Sequence, residues 1–99
     1  MVTKGLLARL EAKEGKEEQV AEFLKQALPL AQEEELTVDW LAFRIDNGTF
    51  GILDTAEGEE GRQAHLDGEI AHALFEKADE LLKREPQIES IDILASKNS

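Results

Sequence analysis

His65 and Asp54 are the side chains through which this chain could do chemistry. An ordinary imidazole titrates at about 6.5, so His65 can take up or return a proton near neutral pH. Its alternative role is structural, a hydrogen bond that holds the helix start within Gly61–Gly68. Asp54 closes the run Phe50-Gly51-Ile52-Leu53-Asp54, whose alternation turns it to the side of Phe50 and Ile52. A carboxylate among such neighbours must find a partner or shift its pKa. It could orient His65, bind a substrate hydroxyl, or satisfy a backbone donor at a helix start, and the spacing leaves all of these open. His72 lies seven residues beyond His65, so the two share a face only if one helix runs unbroken through Gly68. That spacing is poorer for a metal than the four-residue spacing of helical zinc sites, and no further ligand is evident. His72 therefore reads as an exposed helix histidine near Glu69 and Glu76.

Other chemistries are excluded by composition. With no cysteine there is no disulfide, thiolate metal site or cysteine nucleophile, and with no tyrosine there is no phenolic acid. Gly48 and Gly51 belong to a hairpin rather than a phosphate loop, and no Ser-His-Asp set can be read from spacing.

A hairpin must position Asp54. Asn47-Gly48 separates two strand-like runs within Thr37–Thr55 and suits the positive φ angles of a type I′ turn. Pairing about that turn sets Ile45 opposite Phe50, Phe43 opposite Ile52 and Leu41 opposite Asp54. These side chains then face inward, with Phe43, Phe50 and Ile52 as candidate pocket walls. Trp40, Arg44 and Leu53 fall on the opposite face, where Trp40 serves a dimer interface or stacks on an aromatic ligand.

Elsewhere, Leu6, Ala8, Leu10 and Ala12 alternate as a strand. From Lys16 to about Glu34 the stripe Val20, Phe23, Leu24, Ala27, Ala31 predicts a helix, with Pro29 expected to kink or end it. Glu33-Glu34-Glu35 reads as a frayed, solvated exit at the unfavourable end of the helix dipole. Residues 56–61 form a loop or helical start, in which the run from Glu57 to Glu60 is a solvated loop and a candidate mobile lid, and Arg62–Leu66 a helical turn. Glu69 to Glu85 is a second amphipathic helix stopped by Pro86. Ile91, Ile93 and Ala95 mark a closing strand, and Lys97-Asn98-Ser99 a loose tail.

Ninety-nine residues suit one domain, 1–99, with its core at about 5–96. A net charge of −11 disfavours nucleic acid and anionic membranes. No membrane span is present, and the start Met1-Val2-Thr3-Lys4 has no signal-peptide core, so a cytoplasmic location is expected. The order β-α-β-β-α-β gives an α+β, ferredoxin-like fold: a four-stranded antiparallel sheet with both helices on one face. The bare face, carrying Trp40 and Leu53 with Leu7 or Leu94, predicts a homodimer.

From Leu6 to Ala95 the chain resembles the antibiotic biosynthesis monooxygenase (ABM) domains of the dimeric α+β barrel superfamily. The opening strand with Lys13-Glu14-Gly15-Lys16-Glu17, the Trp40 strand, Phe50–Asp54 and Ala64-His65-Leu66 carry the resemblance. Family members often carry Glu-Xaa-Trp, then His-Leu-Xaa-Ser-Xaa-His. Here Asp54 replaces the Glu, Ala56 the Trp, Gly68 the Ser and Ile70 the second His, while His65 matches the first. The resemblance implies a homodimeric monooxygenase or quinol oxidase that needs no cofactor and acts on a small phenolic or quinol substrate. His65 would be base or orienter beside Asp54, with Phe43, Phe50, Ile52, Leu66, Ile70 and His72 around the substrate. A non-catalytic module binding an aromatic or apolar metabolite is the alternative, and a haem-degrading relative a distant third.

Overall fold

Strand β1, Lys4–Glu11, buries Leu6, Ala8 and Leu10 on one side and exposes Arg9 on the other. This computed structural model describes residues 3–97; Met1, Val2 and the tail residues Asn98 and Ser99 lie outside them. Together with β2 (Asp39–Asp46), β3 (Thr49–Ala56) and β4 (Gln87–Asp92), β1 forms an antiparallel sheet of order β2-β3-β1-β4. Helices α1 (Glu17–Gln32), α2 (Glu59–Leu66) and α3 (Glu69–Leu81) complete the α+β, ferredoxin-like arrangement. Leu10, Val20, Leu24, Phe50, Ile52 and Leu74 form the heart of the core between sheet and helices.

Gly15 carries the only positive φ among the described residues, +86°, and turns β1 into α1. Pro29 does not end α1, which runs on to Gln32. So close to the C-terminus the missing proline N–H removes one bond, and burial of Ala27 and Ala31 on either side holds the helix. The second amphipathic region ends at Leu81 rather than Glu85. Leu82 turns extended (φ −112°, ψ 147°), is buried, and bridges to Ala12. Lys13 N–H donates to the Leu81 carbonyl and Lys83 N–H to that of Glu11, both at 2.8 Å, so β-type bonds draw the chain out of the helix before Pro86. The closing strand accordingly begins at Gln87, earlier than the run from Ile91 suggests.

The hairpin differs from expectation in one residue, with large effect. Asp46 still pairs with Thr49, but a bulge at Ile45 brings Arg44, not Ile45, opposite Phe50. Neither Asn47 nor Gly48 has positive φ, so the turn is not type I′. The Asp46 carboxylate accepts the Gly48 N–H at 3.1 Å, and the bulge absorbs the twist that a primed turn would have matched. Every residue of β2 before the bulge therefore changes face. Trp40, Ala42 and Arg44 point with Asp54, Ile52 and Phe50 toward the helices, while Leu41 and Phe43 join Leu53 on the open side. Trp40 packs against both parts of the core, and the Arg44 guanidinium lies 4.7 Å from the Phe50 ring centre. The open face is thus built of Leu7, Leu41, Phe43, Ile45 and Leu53, with Phe43 over Gly51. No helix among the described residues is long and apolar enough to cross a membrane.

Candidate active site

Helix α2 turns Gly61 and His65, one helical turn apart, toward the sheet. A Cβ on Gly61 would lie 2.6 Å from that of Ala56 and 3.0 Å from the Leu36 carbonyl oxygen. Only glycine lets the helix come this close. Arg62, next along, fixes its azimuth by donating to the Ile91 carbonyl at 3.1 Å and pairing with Glu59. His65 is thereby held over the end of β3.

There it meets two carboxylates. Its Nε2 lies 2.9 Å from Asp54 Oδ2, and its Nδ1 lies 3.0 Å from Glu34 Oε1. The His65 and Asp54 side chains are 9% and 4% exposed, while Glu34, at 19%, is the member nearest solvent. The Thr37 hydroxyl donates to the same Glu34 oxygen at 3.0 Å. Burial pushes the His65 pKa down, but hydrogen bonding and charge from Asp54, then from Glu34, outweigh it, so the net shift is upward. A ring facing carboxylates through both nitrogens is satisfied when both carry hydrogen. Both ring nitrogens therefore face a carboxylate, Asp54 on one side and Glu34 on the other, and both partners favour the protonated ring.

Glu34 was not legible as a functional residue; it was expected to be solvated. The signal was the clash of three acidic residues with the negative end of a helix dipole, which a buried cation relieves. Glu34 and His65 form one wall of a cavity of about 420 Å³, closed by Leu30, Leu36 and Ala64 and rimmed by Glu33 and Glu69.

Asp54 and His65, expected together, are together. The expected substrate wall is not assembled around them. Phe50 and Phe43 border a separate cleft between α1 and β2, and the bulge turns Phe43 away from the helices. Ile52 and Ile70 are sealed in the core, Leu66 is half-buried and lines neither cavity, and His72 is exposed on α3. Gly68 breaks the chain between α2 and α3, so His65 and His72 never share one helix face. Trp40 and Arg44 lie on the helix side and leave Leu53 alone of the three residues assigned to the bare face. Among the described residues, no group of three or more His, Cys, Asp or Glu side chains is arranged to hold a metal ion.

No family model and no curated protein matches the chain. A solved protein of unknown function from Nitrosomonas europaea, NE2512, is 47% identical over 98% of this chain and 94% of its own, with a TM-score of 0.96. The chain belongs to the family of that protein. Beyond this family the likeness is one of fold. An antibiotic biosynthesis monooxygenase matches with a TM-score of 0.78 and 14% identity, over 93% of this chain and 99% of its own. A candidate antibiotic biosynthesis monooxygenase from Nitrosomonas europaea matches at 0.81 and 11%, over 93% and 90%.

Proposed function

We propose that this chain is an ABM-like oxidoreductase that deprotonates a small phenol or quinol at Glu34 and His65. The observation that carries this reading is the buried Asp54–His65–Glu34 set at the wall of a cavity large enough for a small aromatic molecule. A hydroxyl that displaces the Glu34–His65 contact gives its proton to the Glu34 carboxylate. The His65 Nδ1–H then faces the resulting oxyanion, and Asp54 holds the ring in place and supports its positive charge. This assigns the base to Glu34 and makes His65 the electrostatic partner. The anion is a stronger reductant than the parent quinol. A quinol anion that passes two electrons to dioxygen yields the quinone and hydrogen peroxide, with both quinol protons ending on the peroxide; an anthrone anion instead takes one oxygen atom onto its activated carbon, and the other leaves as water with the two hydrogens of that carbon.

The test is oxygen uptake with a panel of naphthoquinols and anthrones. Glu34→Gln should lower turnover about a hundredfold and His65→Ala at least as much. Turnover unchanged in both variants overturns the proposal.

One observation favours a second reading. Both imidazole nitrogens are engaged, and the aromatic side chains border the other cleft, as in a barrel that holds an apolar metabolite without reacting it. Stoichiometric quinol binding with no oxygen uptake would select that reading. A haem-degrading role fits poorly, because both His65 nitrogens are already engaged by carboxylates. We further propose that a homodimer forms through the open sheet face, whose exposed Leu41, Phe43 and Ile45 make an apolar patch unusual for a monomer.

A further inference from the structure

The turn that carries Glu34 is tied at both ends. Glu34 N–H donates to the Ala31 carbonyl at 3.1 Å where α1 ends, and Val38 N–H donates to the Thr55 carbonyl at 2.8 Å just before β2. Between these ties Thr37 closes the turn twice. Its N–H donates to the Glu34 carbonyl at 3.4 Å, and its hydroxyl donates to Glu34 Oε1 at 3.0 Å. The same Oε1 lies 3.0 Å from His65 Nδ1. The carboxylate therefore has two holds of different kinds, one inside its own turn and one across to α2. Its other oxygen, Oε2, borders Gly68, where a Cβ would stand 3.0 Å from it. Glu34, Thr37, His65 and Gly68 all line the cavity of about 420 Å³.

We propose that Thr37 is the positioning residue of the base: its hydroxyl keeps Glu34 Oε1 engaged while Oε2 takes the substrate proton. This rests on the reading of Glu34 as the base. A substrate hydroxyl that enters between Glu34 and His65 removes the hold across to α2. A glutamate without it is a long side chain free to change rotamer, and each rotamer that swings outward takes the base away from the substrate. The Thr37 bond survives the displacement, because its donor and acceptor belong to the same turn. In the transfer the substrate O–H bond breaks and a new O–H bond forms on Oε2. The negative charge passes to the substrate oxygen, which faces His65 Nδ1–H. Gly68 keeps side-chain atoms away from Oε2, so the proton acceptor stays open to the cavity.

The probe is the most readily oxidised naphthoquinol of the panel, followed by oxygen uptake. Thr37→Val removes the hydroxyl and keeps the shape of the side chain. Its kcat should fall about tenfold while KM stays level, because the base is misplaced and the cavity walls are intact. Thr37→Ser, which restores the hydroxyl, should return kcat to within about twofold of wild type. In a Glu34→Gln background the Thr37→Val change should have no further effect, since no base is left to position. Equal losses in the two backgrounds would mark Thr37 as merely structural and overturn the inference. An unchanged kcat, or a loss that serine leaves in place, would overturn it as well. Thr37→Ala supplies the same comparison where the valine variant does not fold. Wild type that oxidises no quinol removes the base and its anchor together, whereas turnover in wild type with an unaltered Thr37→Val removes the anchor alone.

Discussion

His65 couples the stability of the molecule to pH. Its folded pKa is raised by its two carboxylate partners, so protonation is favoured by folding. The associated stabilisation is complete below about 6.5, the unfolded value, and is lost as pH rises through the higher folded value. Thermal denaturation between pH 6 and 9 should therefore show a falling midpoint in wild type and a flatter profile in His65→Asn. At pH 6 the variant should be less stable by about 3 kcal/mol, because Asp54 is left as a buried charge without its partner. A profile in the variant that parallels wild type would deny His65 this role. At this scale the sequence offered two of the three site residues. Asp54 and His65 were legible from residue type and strand parity. Glu34 was hidden in an acidic run, because local charge patterning does not say which of three neighbours meets a histidine 31 residues away.

At the scale of elements, strand and helix periods were readable wherever one face is buried. The ends were not, because long-range bonds decide them. Leu82 leaves its helix to bridge Ala12, a partner remote in sequence. The bulge at Ile45 was equally invisible: one extra residue exchanges the faces of Trp40 and Phe43 while the hydrophobic pattern of β2 tolerates both registers. Gly61 is the element-scale feature most open to test. In Gly61→Ala the new methyl must push α2 away from Ala56 and the Leu36 carbonyl, at a cost of about 1–3 kcal/mol in chemical denaturation. The same shift lengthens the His65–Asp54 contact, so the histidine pKa measured by NMR should fall toward its ordinary value. Unaltered stability together with an unaltered titration would show that α2 has room to spare.

For the whole molecule, the proposed dimer can be read in solution. Sedimentation equilibrium should give twice the 11.0 kDa chain mass, and Leu53→Asp should return the single-chain value. Leu53 faces Leu7 and Leu41 at the centre of the bare side of the sheet, so a carboxylate there opposes burial from both copies. A monomeric wild type at high micromolar concentration would remove the dimer from the account. The fold class followed from the order of the elements. The face presented for association did not follow in detail, because it depends on the bulge.

The Ala12–Leu82 bridge has a consequence of its own. It staples the helical layer to the sheet at one pole through backbone groups that do not titrate. At the opposite pole the fastening is ionic, made by Asp54, His65 and Glu34. Alkaline solution should therefore unzip this molecule directionally. Once intrinsic rates are corrected for pH, amide exchange should quicken first along 59–70 while the stapled pole stays protected.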